Sequence, residues 1–338
     1  MKIILLFLII LLSILVYKKY KIENFKVQEP KILYFLTDNI RLVSGILNSN
    51  YLAIKSSIQS NPNFKIVDYY TNFSKDYLKD KILIFDFTNG FNMKINPTRH
   101  EINNIIPYLQ YSKKNITLLH DLHPKWSFNN KNIDIIPFLK QNNFKLVIYG
   151  HSHNTPEHKL FIDNGIKFKN IFHHVNFNTF KNLNLEKKYD IIFIGYISRG
   201  NYPFRFRLYQ LFKDRFNIIH INKKGPNELV RLINQSYLGV VTPSKFNYFL
   251  QKYLEIPLCN CCPIGNLPEN DNLAKELYQN DYIKLDPTMS DMEIINITQK
   301  ALSSKKLLNI KSKNIRKRST KYNSLNYSKS LFKIVNSI

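Results

Sequence analysis

Tyr189-Asp190-Ile191-Ile192-Phe193-Ile194-Gly195 is a short apolar run closed by a glycine. A polar, basic stretch from Asn178 to Lys188 separates it from everything upstream. A run of this length, apolar on both alternating faces, reads as a strand buried on two sides, as in a parallel sheet. It therefore predicts the first strand of a second α/β unit. Downstream, a helix from Pro203 places Phe204, Leu208, Leu211 and Phe212 on one face. Strand Asn217–Ile221 follows, then a helix opened by Pro226 that buries Leu229, Leu232 and Ile233, then strand Leu238–Val241. Strand Pro263–Ile264, a helix from Asp271, a short strand Tyr282–Leu285 and a helix capped by Ser290 and Glu293 complete the unit.

Upstream, strand-like runs recur at Ile32–Leu36, Phe64–Val67, Ile82–Phe87, Ile116–His120, Leu146–Tyr149 and Ile171–Val175. The best helix between them is Thr98 to Leu109: Thr98 and Glu101 form a capping box, and Ile102, Ile105, Ile106 and Leu109 share a face. Strands alternating with helices predict a parallel sheet covered on both faces. The fold class expected is α/β, with two Rossmann-like lobes facing across a cleft. The division expected is residues 1–22 as a membrane anchor, 23–178 as an N-terminal α/β lobe, and 179–338 as a C-terminal α/β lobe with a returning C-terminal helix. Ligands of such sheets bind beyond the carboxyl ends of the strands, here the loops after Ile194, Ile221, Val241 and Ile264.

The chain has 338 residues, 44% of them hydrophobic, enough for two cores, and a formal net charge of +25. That charge fits a solvated basic surface, or attraction to anionic lipid or phosphorylated ligands. No motif of nucleic-acid readout accompanies it, so no nucleic-acid partner is expected. Ile3 to Tyr17 is apolar except for Ser13, with Lys2 before it and Lys18, Lys19 and Lys21 after. At about 1.5 Å per residue the run is just long enough to enter a bilayer core of ~30 Å. An uncleaved single-pass anchor is expected, with the body of the protein on the cytosolic side by the positive-inside rule. The basic run from Lys305 to Arg318 is a second candidate for membrane contact. Cys259, Cys261 and Cys262 sit within four residues in an apolar setting and read as core residues; no metal site is expected from them.

Gly195-Tyr196-Ile197-Ser198-Arg199-Gly200-Asn201-Tyr202-Pro203-Phe204-Arg205 is a glycine-punctuated turn between a strand and a helix start. Backbone N–H groups and the helix dipole there favour an anion, and Arg199 and Arg205 can reach a diphosphate. An ordinary strand–helix turn with exposed arginines fits the same letters. Lys252-Tyr253-Leu254-Glu255-Ile256-Pro257-Leu258-Cys259-Asn260-Cys261-Cys262-Pro263-Ile264-Gly265 carries one carboxylate, Glu255, at the head of an apolar segment. That carboxylate can accept two hydroxyl hydrogen bonds from a ribose, or cap a helix, or pair with Lys252. Tyr253 can stack on a base or pack. Ser244, in the loop after Val241, falls at the same sheet edge.

Tyr189–Gly195, Arg205 and Lys252–Gly265 resemble the donor-binding half of GT-B glycosyltransferases, nearest to the glycosyl-transferase group 1 and CgeB-like branch. The likeness covers roughly residues 189 to 300. It implies a glycosyltransferase, of hexosyltransferase type and independent of metal, that moves a sugar from a nucleotide-diphosphate sugar to a glycan, protein or lipid acceptor. No cofactor is implied beyond the nucleotide sugar as co-substrate. The donor would be held by Gly195, Arg199, Arg205, Ser244, Lys252, Tyr253 and Glu255. Many retaining members of the family carry a second acid eight residues before the one matched by Glu255; here that position is Asn247.

His120-Asp121-Leu122-His123-Pro124 and Gly150-His151-Ser152-His153 each follow a strand. Asp121, His123 or His151 could deprotonate an acceptor hydroxyl. The same residues allow an alternative, a metallophosphoesterase holding two metal ions through the Asp121/His123 and His151/His153 pairs. A non-catalytic, membrane-tethered basic adaptor is the third possibility.

Overall fold

The computed structural model describes residues 12–14, 30–35, 49–67, 71–86, 108–119, 125–128, 131–150, 156–222 and 224–337. Its strands are β1 (Ile32–Phe35), β2 (Phe64–Val67), β3 (Ile82–Asp86), β4 (Lys114–Leu119), β5 (Lys125–Phe128), β6 (Lys131–Asp134), β7 (Phe144–Tyr149), β8 (Phe168–Asn170), β9 (Tyr189–Ile194), β10 (Ile218–Ile221), β11 (Ser236–Val241), β12 (Cys262–Gly265) and β13 (Ile283–Lys284). A first sheet runs in the order β2-β1-β3-β4-β7-β8 and a second in the order β10-β9-β11-β12-β13. Every pairing within both sheets is parallel. The α/β class with two parallel sheets is as expected from the sequence.

Period-two alternation explains why these runs are strands. In β1, Leu33 and Phe35 join one core cluster with Leu83, Phe85, Val147 and Tyr149. Ile32 and Tyr34 point the other way, into a second cluster with Ile84, Ile116, Leu118, Leu146 and Ile148. The second sheet is built likewise, with Ile192 and Val241 on one face and Ile191, Phe193, Leu238, Val240 and Ile264 on the other. Both faces are covered, which is the condition for a parallel sheet.

Helices α1 (Ser49–Gln59), α2 (Lys75–Leu78), α3 (Ile135–Gln141) and α4 (Pro156–Asp163) belong to the first lobe. Those of the second are α5 (Pro203–Phe212), α6 (Pro226–Asn234), α7 (Lys252–Leu258), α8 (Asn272–Tyr278), α9 (Asp291–Ser303) and α10 (Lys305–Ser319). The expected capping box is formed: Ser290 accepts from the N–H of Glu293, whose carboxylate accepts in turn from the N–H of Ser290. The last helix, α11 (Ser324–Asn336), returns to the first lobe, where Tyr327, Leu331 and Val335 join the cluster of Ile54 and Ile58 of α1.

Three expectations need correction or relocation. Ile171–Val175 is not a strand. The sixth strand of the first sheet is β8, and the chain after it crosses toward the second lobe, with Ile171 and Val175 buried by packing and a single bridge from Val175 to Asn323. Residues 125–128 and 131–134 pair antiparallel, β5 with β6, which the apolar periodicity did not announce. The helix expected at Thr98–Leu109 lies outside the described residues apart from 108–109, which are helical. The apolar run expected as an anchor also lies outside them, apart from residues 12–14, which are helical; among the described residues no helix is long and apolar enough to cross a membrane.

Candidate functional site

The order of the second sheet fixes where a ligand can sit. The chain enters at β9, goes to β10 on one side, then crosses back to β11 on the other. The crevice beyond the carboxyl ends of β9 and β11 is therefore the topological switch point, where open α/β sheets bind ligands. Gly195 follows β9 there and Thr242 follows β11. The first sheet meets this edge with its own: the ring of Tyr149, at the end of β7, lies 6.3 Å from that of Tyr248. Gln251 also donates to the carbonyl of His174 at 3.3 Å. The loops after β11 thus face the carboxyl end of the first sheet.

Gly195 has φ +85°, a conformation that favours glycine, and its N–H donates to the carbonyl of Ile221 at 2.7 Å. A Cβ here would lie 3.4 Å from Lys252 Nζ and 3.8 Å from Arg205 Nη1, so three residues far apart in sequence converge on one point. Lys252 donates to the carbonyl of Ile194 at 2.8 Å. Burial holds the Lys252 ammonium well below the usual lysine range. Arg205 pushes in the same direction, and Glu255, one turn on in the same helix, opposes. Glu255 is 4% exposed.

Arg205 is placed differently from the sequence expectation. It is 1% exposed, and its N–H groups are committed to the chain: Nε to Thr242 Oγ1 at 3.2 Å, one terminal nitrogen to the carbonyl of Tyr196 at 3.2 Å, the other to the carbonyl of Thr242 at 3.1 Å. Its guanidinium lies 3.9 Å from the ring centroid of Tyr202. It ties the loop after β9 to the end of β11 from below. A second tie, from the N–H of Lys245 to the carbonyl of Asn201 at 2.9 Å, joins the same loops. Arg199 stands exposed in the turn. Helix α5 has Pro203 at its first position and no side-chain cap, so its first N–H groups are left toward this turn. Ser244 is half-buried in the loop after β11, its hydroxyl accepting from the N–H of Phe246 at 3.3 Å.

Tyr253 corrects the expectation that it could stack on a base. It is 0% exposed, its ring stacks on Phe249 at 4.9 Å, and its hydroxyl donates to the carbonyl of Asn266 at 2.9 Å. The reason is local. Pro257 has no N–H for the carbonyl of Tyr253, and the hydroxyl of Tyr278 donates to that carbonyl instead, at 2.8 Å. One turn of α7 is thereby pinned from α8 and from the loop after β12, with Lys252 and Glu255 on the remaining faces. Gly239 allows this close approach, since a Cβ there would meet Ile256 at 2.7 Å. The three cysteines are buried and free, as expected of core residues.

Several residues of the site were not singled out from sequence. Thr242 and Tyr196 accept from Arg205, and His220 Nε2 lies 2.9 Å from the carbonyl of Gly195. Asn266 follows the glycine that ends β12, and its side-chain oxygen is buried with no hydrogen-bond partner among the described residues. Position at a strand end was the signal for each. Asp121, His123, His151 and His153 lie outside the described residues. The strands that lead into them are neighbours, with Leu119 of β4 in register with Tyr149 of β7. Among the described residues no group of three His, Cys, Asp or Glu side chains could hold a metal ion.

No protein-family model and no curated protein matches the sequence. Solved structures do. Sucrose-phosphate synthase from Thermosynechococcus elongatus is similar over 91% of this chain and 98% of its own, at 11% identity and a TM-score of 0.59. T4 phage BGT, solved with UDP and Mn2+, is similar over 90% and 99%, at 13% identity and a TM-score of 0.58. HepE of Anabaena, solved with UDP and glucose, is similar over 91% and 100%, at 10% identity and a TM-score of 0.54. These are GT-B proteins matched over nearly their whole length, and the chain has their two-lobed fold.

Proposed function

We propose that the protein is a glycosyltransferase that moves a sugar from a nucleotide-diphosphate sugar to a glycan, protein or lipid acceptor. The observation that carries the reading is the meeting of Gly195, Lys252 and Glu255 at the switch point of the second sheet. The fold shared with proteins solved with UDP supports it. In this reading the diphosphate lies over the turn after β9, against the N–H groups that open α5, with Arg199 and Lys252 as its cations. Glu255 accepts hydrogen bonds from the ribose. Arg205 positions the turn and adds positive potential from beneath it. As the glycosidic bond breaks, charge grows on the leaving diphosphate, and fixed cations and dipoles stabilise that charge more than they stabilise the donor. Asp121, His123 or His151 would take the acceptor proton.

The finer assignments are a hexosyl donor, transfer without a metal ion, and a body held at the cytosolic face of a membrane. The last rests on the apolar run Ile3 to Tyr17 and on the exposed lysines of α10, among them Lys306, Lys313 and Lys317. The test of the main reading is donor binding and turnover with UDP-, GDP- and CMP-sugars. Wild type should show a donor-dependent rise in melting temperature and donor turnover. Glu255→Ala should lose both while keeping its circular dichroism spectrum. Wild-type turnover in that variant overturns the assignment of Glu255, and absence of any nucleotide-sugar binding by the wild type overturns the function.

A further inference from the structure

A cavity of about 490 Å³ lies where the chain passes between the lobes. Three segments line it: residues 170–174 at and beyond the end of β8, the start of α8, and the turn from α10 into α11 with the first turns of α11. Its lining includes none of Gly195, Arg199, Arg205, Ser244, Lys252 or Glu255. The two crossings that form its wall are stitched together, since the N–H of Val175 donates to the carbonyl of Tyr322 at 3.1 Å. Its volume is that of a small-molecule site.

The chemistry of the wall narrows the ligand. The only carboxylate and the only lysine among the lining residues, Glu276 and Lys321, pair with one another, and of the two lining imidazoles, His173 and His174, burial pushes the pKa of His174 down to about 4 and keeps it neutral, so no lysine or carboxylate is left uncompensated to meet a phosphate. Asn272, Asn323 and Asn326 line it with side-chain amides. Asn323 caps α11, its Oδ1 accepting from the N–H of Asn326 and its Nδ2 donating to the carbonyl of Thr320, and Asn326 Nδ2 donates to the carbonyl of Lys321, so each keeps one N–H and at least one lone pair beyond those bonds. Phe172 and Tyr322 supply aromatic surface, their rings set edge to face at 6.4 Å. Hydroxyl groups need donors and acceptors together, and the C–H faces of a pyranose need flat apolar surface. A charge-balanced wall of amides and aromatic rings provides both.

We infer that this inter-lobe cavity is a binding site for a neutral saccharide, separate from the donor site. A bound sugar would touch both crossings and α8 at once, and so would favour one relative setting of the lobes over others. The inference does not depend on the proposed glycosyl transfer, because binding alone is read.

The experiment is ligand-observed NMR and calorimetry on the full chain, with glucose, galactose, N-acetylglucosamine and maltose as probes and glucose 6-phosphate as the charged counterpart. At least one neutral sugar should bind, and glucose 6-phosphate should bind no tighter than glucose. Ser330→Trp, which fills the cavity from an exposed position of its wall, should weaken that binding by about tenfold or more. Asn272→Leu, which removes one amide, should weaken it in the same direction and serves where the tryptophan variant does not fold. Glu255→Ala should leave it unchanged. Failure of every neutral probe to bind overturns the inference. So does undiminished binding in the folded cavity variants, or tighter binding of glucose 6-phosphate than of glucose.

Discussion

The side-chain amide of Asn247 holds the backbone of Glu269 at two points: Asn247 Nδ2 donates to the Glu269 carbonyl at 3.2 Å, and the Glu269 N–H donates to Asn247 Oδ1 at 2.9 Å. Asn247 has φ +59°, a conformation that asparagine tolerates better than most side chains. It thus joins the loop before α7 to the loop after β12, and position 247 is where the resembling family often carries its second acid. An acid there could not copy the amide, because a carboxylate has no donor for the Glu269 carbonyl. Asn247→Asp should cost about 1 kcal/mol in urea unfolding, and Asn247→Ala about 1–3 kcal/mol with the added backbone strain. Both should weaken nucleotide-sugar binding more than they change the maximal rate.

Two glycines should respond very differently to alanine. At Gly265, φ is +138° and a Cβ would lie 1.9 Å from the carbonyl oxygen of Val241, which is backbone and cannot yield. Gly265→Ala should cost more than about 3 kcal/mol and lower soluble yield. At Gly195 the nearest atom would be Lys252 Nζ at 3.4 Å, the end of a flexible side chain. Gly195→Ala should cost about 1 kcal/mol through φ alone and fold, yet lose donor affinity because a methyl group then stands against the ammonium where a phosphate would approach the turn. Thermal melts with and without UDP separate the two outcomes.

Acid should loosen the return of α11. His174 stacks on Tyr327 at 3.8 Å, its Nε2 is 2.7 Å from Ser57 Oγ, and burial pushes its pKa down to about 4. A histidine whose folded pKa lies below its unfolded value of ~6.5 binds a proton more readily when unfolded. Above pH ~6.5 it costs nothing, and stability falls as pH drops from there toward 4, by about 3 kcal/mol at most. His174→Gln should flatten that part of the stability curve measured by urea unfolding between pH 7 and pH 4.

Lys252 gives a binding signature. Burial and Arg205 depress its folded pKa, so the apo protein gains stability as pH rises through the window between that value and the unfolded one. A diphosphate beside the ammonium reverses the balance and raises the pKa. UDP binding at alkaline pH should therefore take up protons, seen as a buffer-dependent calorimetric enthalpy, and Lys252→Met should abolish the uptake. EDTA should leave donor turnover unchanged if the cations of the chain alone meet the diphosphate; loss of turnover restored by Mn2+ would overturn the metal-independent proposal.

Most strands were legible because parallel sheets bury both faces. Ile191 to Ile194 could hardly be anything else, and Phe64–Val67 was bounded by polar residues on both sides. The same rule misread Ile171–Val175: Ile171 is buried against α11, Val175 joins the core of the second lobe, and Phe172 is exposed, with no ladder between them. It also passed over β5 and β6, four residues each, which are too short for the alternation of Trp126 and Phe128 or the lone Ile133 to stand out among Lys125, Ser127, Lys131, Asn132 and Asp134. At the site, spacing located Lys252 and Glu255 but not the orientation of their neighbour. Tyr253 is one residue away and faces the core, because a helix turns about 100° per residue and Pro257 leaves a carbonyl there for Tyr278 to fill. Arg205 was legible as a cation near the turn. That it lies beneath the turn rather than on it depends on Thr242, a contact across 37 positions of sequence that no local pattern carries.

The return of α11 sets an order of events during synthesis. Tyr327, Leu331 and Val335 close the same core as Ile32 and Tyr34, so β1 waits, partly uncovered, until α11, Ser324–Asn336, has been made. A nascent chain generally folds its first domain first. Here the first sheet is sealed only after the second lobe has been made, and a chain stopped before residue 324 would emerge with an early surface still open to whatever else is sticky nearby.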